Sequence, residues 1–359
     1  MISNAQYAEL LQRLDDVEND NRFRAHVGAL RKEIEDMNKD FYTEVTKGNV
    51  PGHRILHKYG KNPDIDTASG FETIWNGGAA YTGFNATAAE VIEVFSSSAN
   101  DAGTLVSSGT STGGSATTII DTGATFVSDG VVVGDSVIND TTIDHGVITA
   151  VTETQLTIFV MEHETTNGAS QVYRVVTPAS TGASFIELNN LLDANYVETT
   201  EYVIFNGVTG VDTVGSYIRN SSGKCYGPAV NTGAITVRQK VTTANIFMVL
   251  PATYSSTMIA AYTIPAGERA YLVDWFVGLN SKTASSAGGQ FMVSPYGSAP
   301  QVREEVTANA VGNTIANRVY KSPKNHTMAG SDIRIQADVD TNNTAVVAGF
   351  TLLIIQDGY

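Results

Sequence analysis

The chain has 359 residues and a net charge of −15, yet only 16% of its positions are charged, well under the usual quarter. Residues 1–60 hold nine of the 22 Lys and Arg against ten acids, leaving 13 basic and 27 acidic side chains for the rest. That balance repels a phosphate backbone, and the first 60 residues mix both signs without a basic run, which argues against nucleic-acid binding. Cys225 is the only cysteine, so one chain can form neither a disulfide nor a cysteine-based zinc site. The opening MISNAQYAELLQRLDD lacks the basic and apolar regions of a signal peptide. No run approaches 18 apolar residues, so a protein made in the cytoplasm, with no membrane span, is expected. Gly, Ser, Thr, Ala, Asn and Val replace the missing charges, a mixture that suits strands joined by tight turns.

In chain order, residues 1–47 carry the one strong helix signal. Tyr7, Leu10, Leu14 and Val17 follow 3-4-3 spacing, and Phe23, Val27, Leu30, Ile34, Met37 and Phe41 follow 4-3-4-3-4 spacing. These are heptad a and d positions, a narrow apolar stripe under charged neighbours. The six-residue step from Val17 to Phe23 breaks the register near ENDNR. The stripe fits an amphipathic helix lying on its own β domain, or a coiled coil between identical chains. Lys47-Gly48, with Pro51 beyond, predicts the helix end. Residues 48–70 then lose helical spacing and read as an extended arm. His53, His57 and Tyr59 on this arm are candidate contacts to neighbouring chains, together with the heptad residues.

Everything after the arm reads as strand and turn. Glu90 to Ser96 is a clear strand. Residues 100–182 open with a Gly/Ser/Thr tract read as a linker, and continue through short strands, Val131–Val133 among them, as a small barrel of about five strands. This module interrupts a β-sandwich formed by 71–99 plus 183–240, in which Asn206-Gly207 is a hairpin signal. Residues 241–359 supply seven candidate strands of a last sandwich, jelly-roll-like or immunoglobulin-like. Within it, Pro265-Ala266-Gly267-Glu268 reads as a β-turn with Pro second and Gly third. AYLVDWFVGL is apolar on both faces and reads as a central strand. The expected fold class is mainly β: an N-terminal helix or coiled coil, tandem β-sandwiches and a small inserted barrel.

Chemistry is sparse. His53 and His57, with Asp64 and Asp66 nearby, have ligand-like spacing only on a helix, which Pro51-Gly52 and Gly60 oppose. Asp338 to Asn343 is an acidic turn that could hold calcium, with a simple loop as the plainer reading. Glu304-Glu305 cannot act together from opposite faces of a strand. Asp274, inside an apolar strand, reads as a buried, hydrogen-bonded structural carboxylate. Trp75, Tyr81, Phe84, Trp275 and Tyr296 could line a sugar site, with core packing as the default. No catalytic, cofactor or metal residue is assigned.

Three segments carry a resemblance: HKYGKNPDIDTASGFETIWNGG (57–78), LDANYVETTEYVIFNG (192–207) and YTIPAGERAYL (262–272). In this order and form they resemble a family of structural proteins of tailed bacteriophages, many from aquatic hosts. The 100–182 module and the longer helical start depart from that pattern. The resemblance implies a virion component without catalytic residues. On that basis the chain is expected to be a capsid decoration or head-fibre protein in the virion. It would be anchored to the major capsid protein or another virion protein by its helix and arm, and homo-oligomeric, with a trimer favoured. The alternative is a tail, baseplate or receptor-binding protein that recognises host glycans.

Overall fold

The computed structural model describes residues 5–9, 41–78, 80–160 and 167–359. Residues 5–9 are helical, and helix α1 spans Phe41–Thr46. The heptad positions Leu10, Leu14, Val17, Phe23, Val27, Leu30, Ile34 and Met37 lie outside the described residues. By compactness the chain divides into Met1–Ile55 with Leu353–Tyr359, and Leu56–Leu352.

In the first unit, α1 ends at a left-handed glycine, Gly48, with φ +76°. The Gly48 N–H donates to Val45 O and the Asn49 N–H to Glu44 O, both at 2.9 Å, the paired bonds that satisfy a helix's last carbonyls. Val45 is buried and Phe41 is 45% exposed. The Gln356 N–H donates to Gly52 O at 2.8 Å.

The strands begin with β1 (His53–Ile65) and β2 (Glu72–Thr73), and β3 (Glu90–Ser96) follows a 3-10 turn at Gly83–Asn85. Next come β4 (Gly103–Thr110), β5 (Gly113–Ser115), β6 (Thr118–Ile120), β7 (Ser136–Asn139), β8 (Asp144–Val151), β9 (Gln155–Val160) and β10 (Val172–Pro178). A third group holds β11 (Phe185–Leu192), β12 (Glu198–Ile204), β13 (Val211–Tyr217), β14 (Ser222–Tyr226), β15 (Ile235–Gln239) and β16 (Ile246–Leu250). The chain closes with β17 (Ala261–Thr263), β18 (Glu268–Ser294), β19 (Gln301–Met328), β20 (Asp332–Val339) and β21 (Thr344–Gln356).

β4 to β10 form one seven-stranded sheet in the order β4-β10-β7-β8-β9-β6-β5. It is not a closed barrel, because β4 and β5 end the order and do not pair with each other. Ser111 and Thr112, between them, serve opposite edges: the Ser111 N–H donates to Gln171 O at 2.8 Å and the Thr112 N–H to Ile120 O at 2.7 Å. The Gly/Ser/Thr tract is therefore strand, not linker. Ladder bonds need backbone only, and Gly109 leaves room for the Tyr173 hydroxyl, which a Cβ would approach to 2.6 Å. Val131–Val133 is not a strand: Val131 joins the core under this sheet, while Val132 and Val133 are 54% and 62% exposed.

The β3 strand, from before this module, pairs with β13 and β15 from beyond it, in the sheet β13-β3-β15-β16. A three-stranded sheet, β12-β11-β14, shares one buried cluster with it. The alternation in β3 explains its placement: Ile92, Val94 and Ser96 are buried, and the residues between them half-buried. Gly207 takes φ +60° and the Thr209 N–H donates to Asn206 O at 3.1 Å, so the Asn-Gly turn forms. It does not make a hairpin, because β12 and β13 join different sheets. The flanking backbone is taken instead by Gly103 and Ser96, whose N–H groups donate to Phe205 O and Gly207 O, each at 3.0 Å.

The last sheet runs β1-β21-β18-β20-β17, with β19 paired to β18 and β2 to β20. The segment read as an extended arm contains strand β1, which joins this sheet. Four expected strands merge into two long ones, β18 and β19. The first half of β18, the AYLVDWFVGL segment, lies between β21 and β19, while residues 287–294 pair with β20. A register shift between Ser281 and Ser285 separates the halves. They then face each other: Trp275 and Phe291 ring centroids are 6.0 Å apart, and a Cβ on Gly289 would sit 2.4 Å from Val277. One bent strand therefore covers both sides of a core. At the turn before β18, the Glu268 N–H donates to Pro265 O and Gly267 has φ +75°. Pro265 is thus first in the turn, not second, and Gly267 holds the third position that a type II turn reserves for glycine.

Asp101 fastens the base of the 103–178 sheet. One oxygen accepts from the Ala183 N–H at 3.0 Å and the Thr232 N–H at 2.8 Å, the other from Ser96 Oγ at 2.6 Å and the Gly233 N–H at 2.8 Å. Burial opposes its charge, but the bonds from Ser96, Thr232, Gly233 and Ala183 outweigh burial and hold the carboxyl below its ordinary range. Its contribution is therefore full above the unfolded value near ~3.9 and lost as pH falls through the lower folded value. Asp101→Asn is expected to cost about 1–3 kcal/mol at pH 7, with the difference from wild type shrinking below about pH 4, as read by urea unfolding at both pH values.

Candidate functional site

The three segments carrying the resemblance meet within Leu56–Leu352. Lys58, from the first, donates to Ser221 O at 2.6 Å. Ser221 Oγ donates to Asn190 Oδ1 at 2.6 Å, and Asn190 donates to Glu198 of the second segment at 3.1 Å. Burial draws the Lys58 ammonium down to about 7, against the pull of Glu198. The third segment joins through backbone, where the Ala266 N–H donates to Tyr196 O at 2.8 Å. Trp75 bridges to Ile259, and Trp75, Tyr81 and Ile259 form a buried cluster with Phe84 against it.

At the centre is a buried ion pair. Arg219 Nε donates to Asp332 Oδ1 at 3.0 Å, and the terminal nitrogen Nη2 to Oδ2 at 2.9 Å. Nη1 donates to Ala86 O and Ile218 O, and Nη2 also reaches Phe84 O. All five guanidinium N–H groups are therefore engaged. Thr263 Oγ1, of the third segment, donates to Asp332 Oδ1 at 2.5 Å. The side chains of Arg219 and Asp332 are only 7% and 10% exposed. Burial works most strongly against the Arg219 charge, and the Asp332 carboxylate overrides it, so the guanidinium is held above its ordinary value.

Beside this pair opens a cleft of about 580 Å³, whose lining includes Phe84, Tyr196, Tyr296, Asp332 and Arg334. Tyr196 is held at φ +62°, a left-handed backbone that a bulky side chain rarely adopts. The Asp193 carboxylate fixes that loop by accepting the Asn195 and Val197 N–H groups at 2.8 and 2.9 Å. Tyr296, on the β18–β19 connection, is 68% exposed and meets Tyr196 edge-on at 5.5 Å. Its ring lies against Gly330, where a Cβ would come within 2.8 Å. Arg219 and Arg334 both lie over the Phe84 ring, at 5.6 and 5.9 Å. Arg334 Nε is buried without a hydrogen-bond partner, and burial lowers its guanidinium from the ordinary value.

The residues singled out from sequence fall mostly elsewhere. Phe41 meets His53 edge-on at 5.9 Å, and His53 Nδ1 lies 2.9 Å from Pro51 O. His57 Nδ1 is 3.0 Å from Thr351 Oγ1, and Tyr59 is 45% exposed near Phe276. Both histidines lie on an extended strand, so the helical spacing that a shared metal needs does not arise. Among the described residues no cluster of three or more His, Cys, Asp or Glu could hold a metal ion. Asp340, in the calcium candidate, accepts from the Ser286 N–H and Oγ at 2.8 Å and from Ser285 Oγ at 3.0 Å. Asp274 is half-buried instead of buried. Of the five candidate sugar aromatics, Phe84 and Tyr296 line the cleft, while Trp75, Tyr81 and Trp275 are core. Arg219, Asp332, Arg334 and Tyr196 were not singled out. A lone Arg after buried Tyr217 and Ile218 was the available signal for the first.

No protein-family model, curated protein or solved structure matches the chain. Among the described residues, no helix is long and apolar enough to cross a membrane.

Leaving one member of a buried pair uncompensated costs about 3–5 kcal/mol, whereas replacing both by apolar groups can be neutral. Arg219→Met should therefore lose about that much stability in urea unfolding, and Arg219→Met with Asp332→Leu should recover most of it.

Proposed function

We propose that the chain is a non-enzymatic structural component of a phage virion, most specifically a capsid decoration or head-fibre protein. One observation carries the reading: the three segments resembling phage structural proteins converge on the Lys58 and Arg219–Asp332 networks. Segments far apart in sequence thus share one structural task, which is to join sheets. The sheets around residues 86–250 and 261–352 are read as two sandwiches in tandem, with the 103–178 sheet displayed from the first. Low charge density and Thr-rich strands suit a surface that faces solvent in many copies. The N-terminal segment, residues 1–47, is the anchor, binding the major capsid protein or another virion protein, and the assembly is a homo-oligomer, a trimer. His57 and Tyr59, exposed on β1, are its neighbouring contacts.

A second reading, a tail or baseplate protein that recognises host glycans, draws support from the exposed Tyr296 on the cleft. Antibody labelling of virions against residues 241–359 separates the two by showing signal on head or on tail.

Because β1 belongs to a sheet, the anchor is tested by removing residues 1–47 and no more. The shortened chain should keep its cooperative unfolding and lose particle attachment in co-sedimentation. Attachment at wild-type level would refute the anchor role.

A further inference from the structure

We infer that the cleft between Phe84, Tyr196, Tyr296 and Arg334 is a binding site for a carboxylated saccharide, with Arg334 receiving the carboxylate and Tyr296 the sugar ring. The inference does not rest on the particle role; a purified chain can bind sugar whether or not it attaches to a capsid.

Charge accounting selects an anion. Two guanidinium groups and one carboxylate line this cleft. The carboxylate, Asp332, is already taken by two donors of Arg219 and by Thr263. Arg334 feels the Asp332 charge, but keeps a buried Nε without a hydrogen-bond partner. A buried donor in that state costs free energy until a ligand satisfies it. Its charge is unmatched in a chain whose net charge is −15, so it is a local positive focus in an acidic surface. Arg presents a planar fork that fits a carboxylate through two parallel bonds.

A single available guanidinium matches a monoanion better than a doubly charged phosphate. The remaining lining points to a sugar. Asn85, Thr87, Ser294 and Ser298 surround the cleft with short amide and hydroxyl groups, suited to the alternating hydroxyls of a saccharide. Tyr296, 68% exposed, would offer no benefit in water alone, and it is braced against Gly330 and Tyr196. A fixed, exposed ring beside a polar wall is the arrangement that stacks on an apolar sugar face while its rim is hydrogen-bonded. The volume of about 580 Å³ falls within the range of small-molecule sites. Tyr196, at φ +62°, adds backbone strain of the kind that gathers at ligand sites. The smaller, more apolar cavity near Phe185, Cys225 and Pro228 has no comparable unmatched charge.

The test is calorimetric titration of the full chain with tetragalacturonate, its methyl ester, a glucuronate oligosaccharide, sialyllactose, sodium acetate and inorganic phosphate. Saturable binding of at least one acidic saccharide is expected. Where galacturonate binds, its ester should be about tenfold weaker or more, since a charge-assisted pair is lost. Arg334→Gln should weaken binding by about tenfold or more. Tyr296→Ala, at an exposed position that leaves the fold intact, should weaken it severalfold and so serves even if the Arg334 variant misfolds. Equal binding of acid and ester, or wild-type affinity in both variants, overturns the inference. So does failure of all three acidic saccharides to bind. Acetate or phosphate binding as tightly as the saccharides would reduce the cleft to a plain anion site and overturn the sugar assignment.

Discussion

Arg219, between β13 and β14, and Asp332, the first residue of β20, lie 113 positions apart in sequence and are almost wholly removed from water. Two charges so placed face a desolvation penalty of several kcal/mol each. Their attraction offsets it only when the remaining donors and acceptors are also satisfied. Here they are: the guanidinium's other N–H groups reach Ala86, Ile218 and Phe84 carbonyls, and Thr263 completes the carboxylate. The pair therefore fixes one docking of the 86–250 sheets on the 261–352 sheets, since any slip would break both Arg219 bonds to Asp332 and leave two buried charges apart.

The cleft follows from the same constraint. Because Asp332 is spent on Arg219, the neighbouring Arg334 has no carboxylate of its own, although both guanidinium groups lie over Phe84. The paired junction and the unpartnered Arg334 Nε at its edge are thus two results of one charge arrangement. The bent strand β18 supplies the rest. By covering both sides of its core it carries the Pro295–Pro300 connection to the cleft, where Tyr296 lies.

How much of this was legible in the sequence depended on how local the cause was. The α1 stop at Gly48 and the β3 alternation are set by neighbouring residues, and both were readable. The β18 and β19 strands were not: Gly288 and Gly289 look like a turn, yet they serve close approach, with Gly289 opposite Val277. The Gly/Ser/Thr tract was misread for the converse reason, since its strands are held by ladder bonds that side-chain composition does not report. Asn206-Gly207 formed its turn but lost its hairpin to backbone groups around residues 96–103, a competition that local sequence does not show. The candidate site was least legible. Its charges come from a lone Arg between two strands and from the alternating strand β20, and only the fold reveals that Asp332 is engaged by Arg219.

Native-state hydrogen exchange addresses the coupling most directly. The Phe205 amide, donating to Ser184 O, reports on the 86–250 sheets, and the Ile335 amide, donating to Ala260 O, on the 261–352 sheets. Coupling through Arg219–Asp332 predicts that both amides open with one free energy in the wild-type chain and with separate ones in Arg219→Met. Different opening energies in the wild type, or energies that remain equal in the variant, would contradict it.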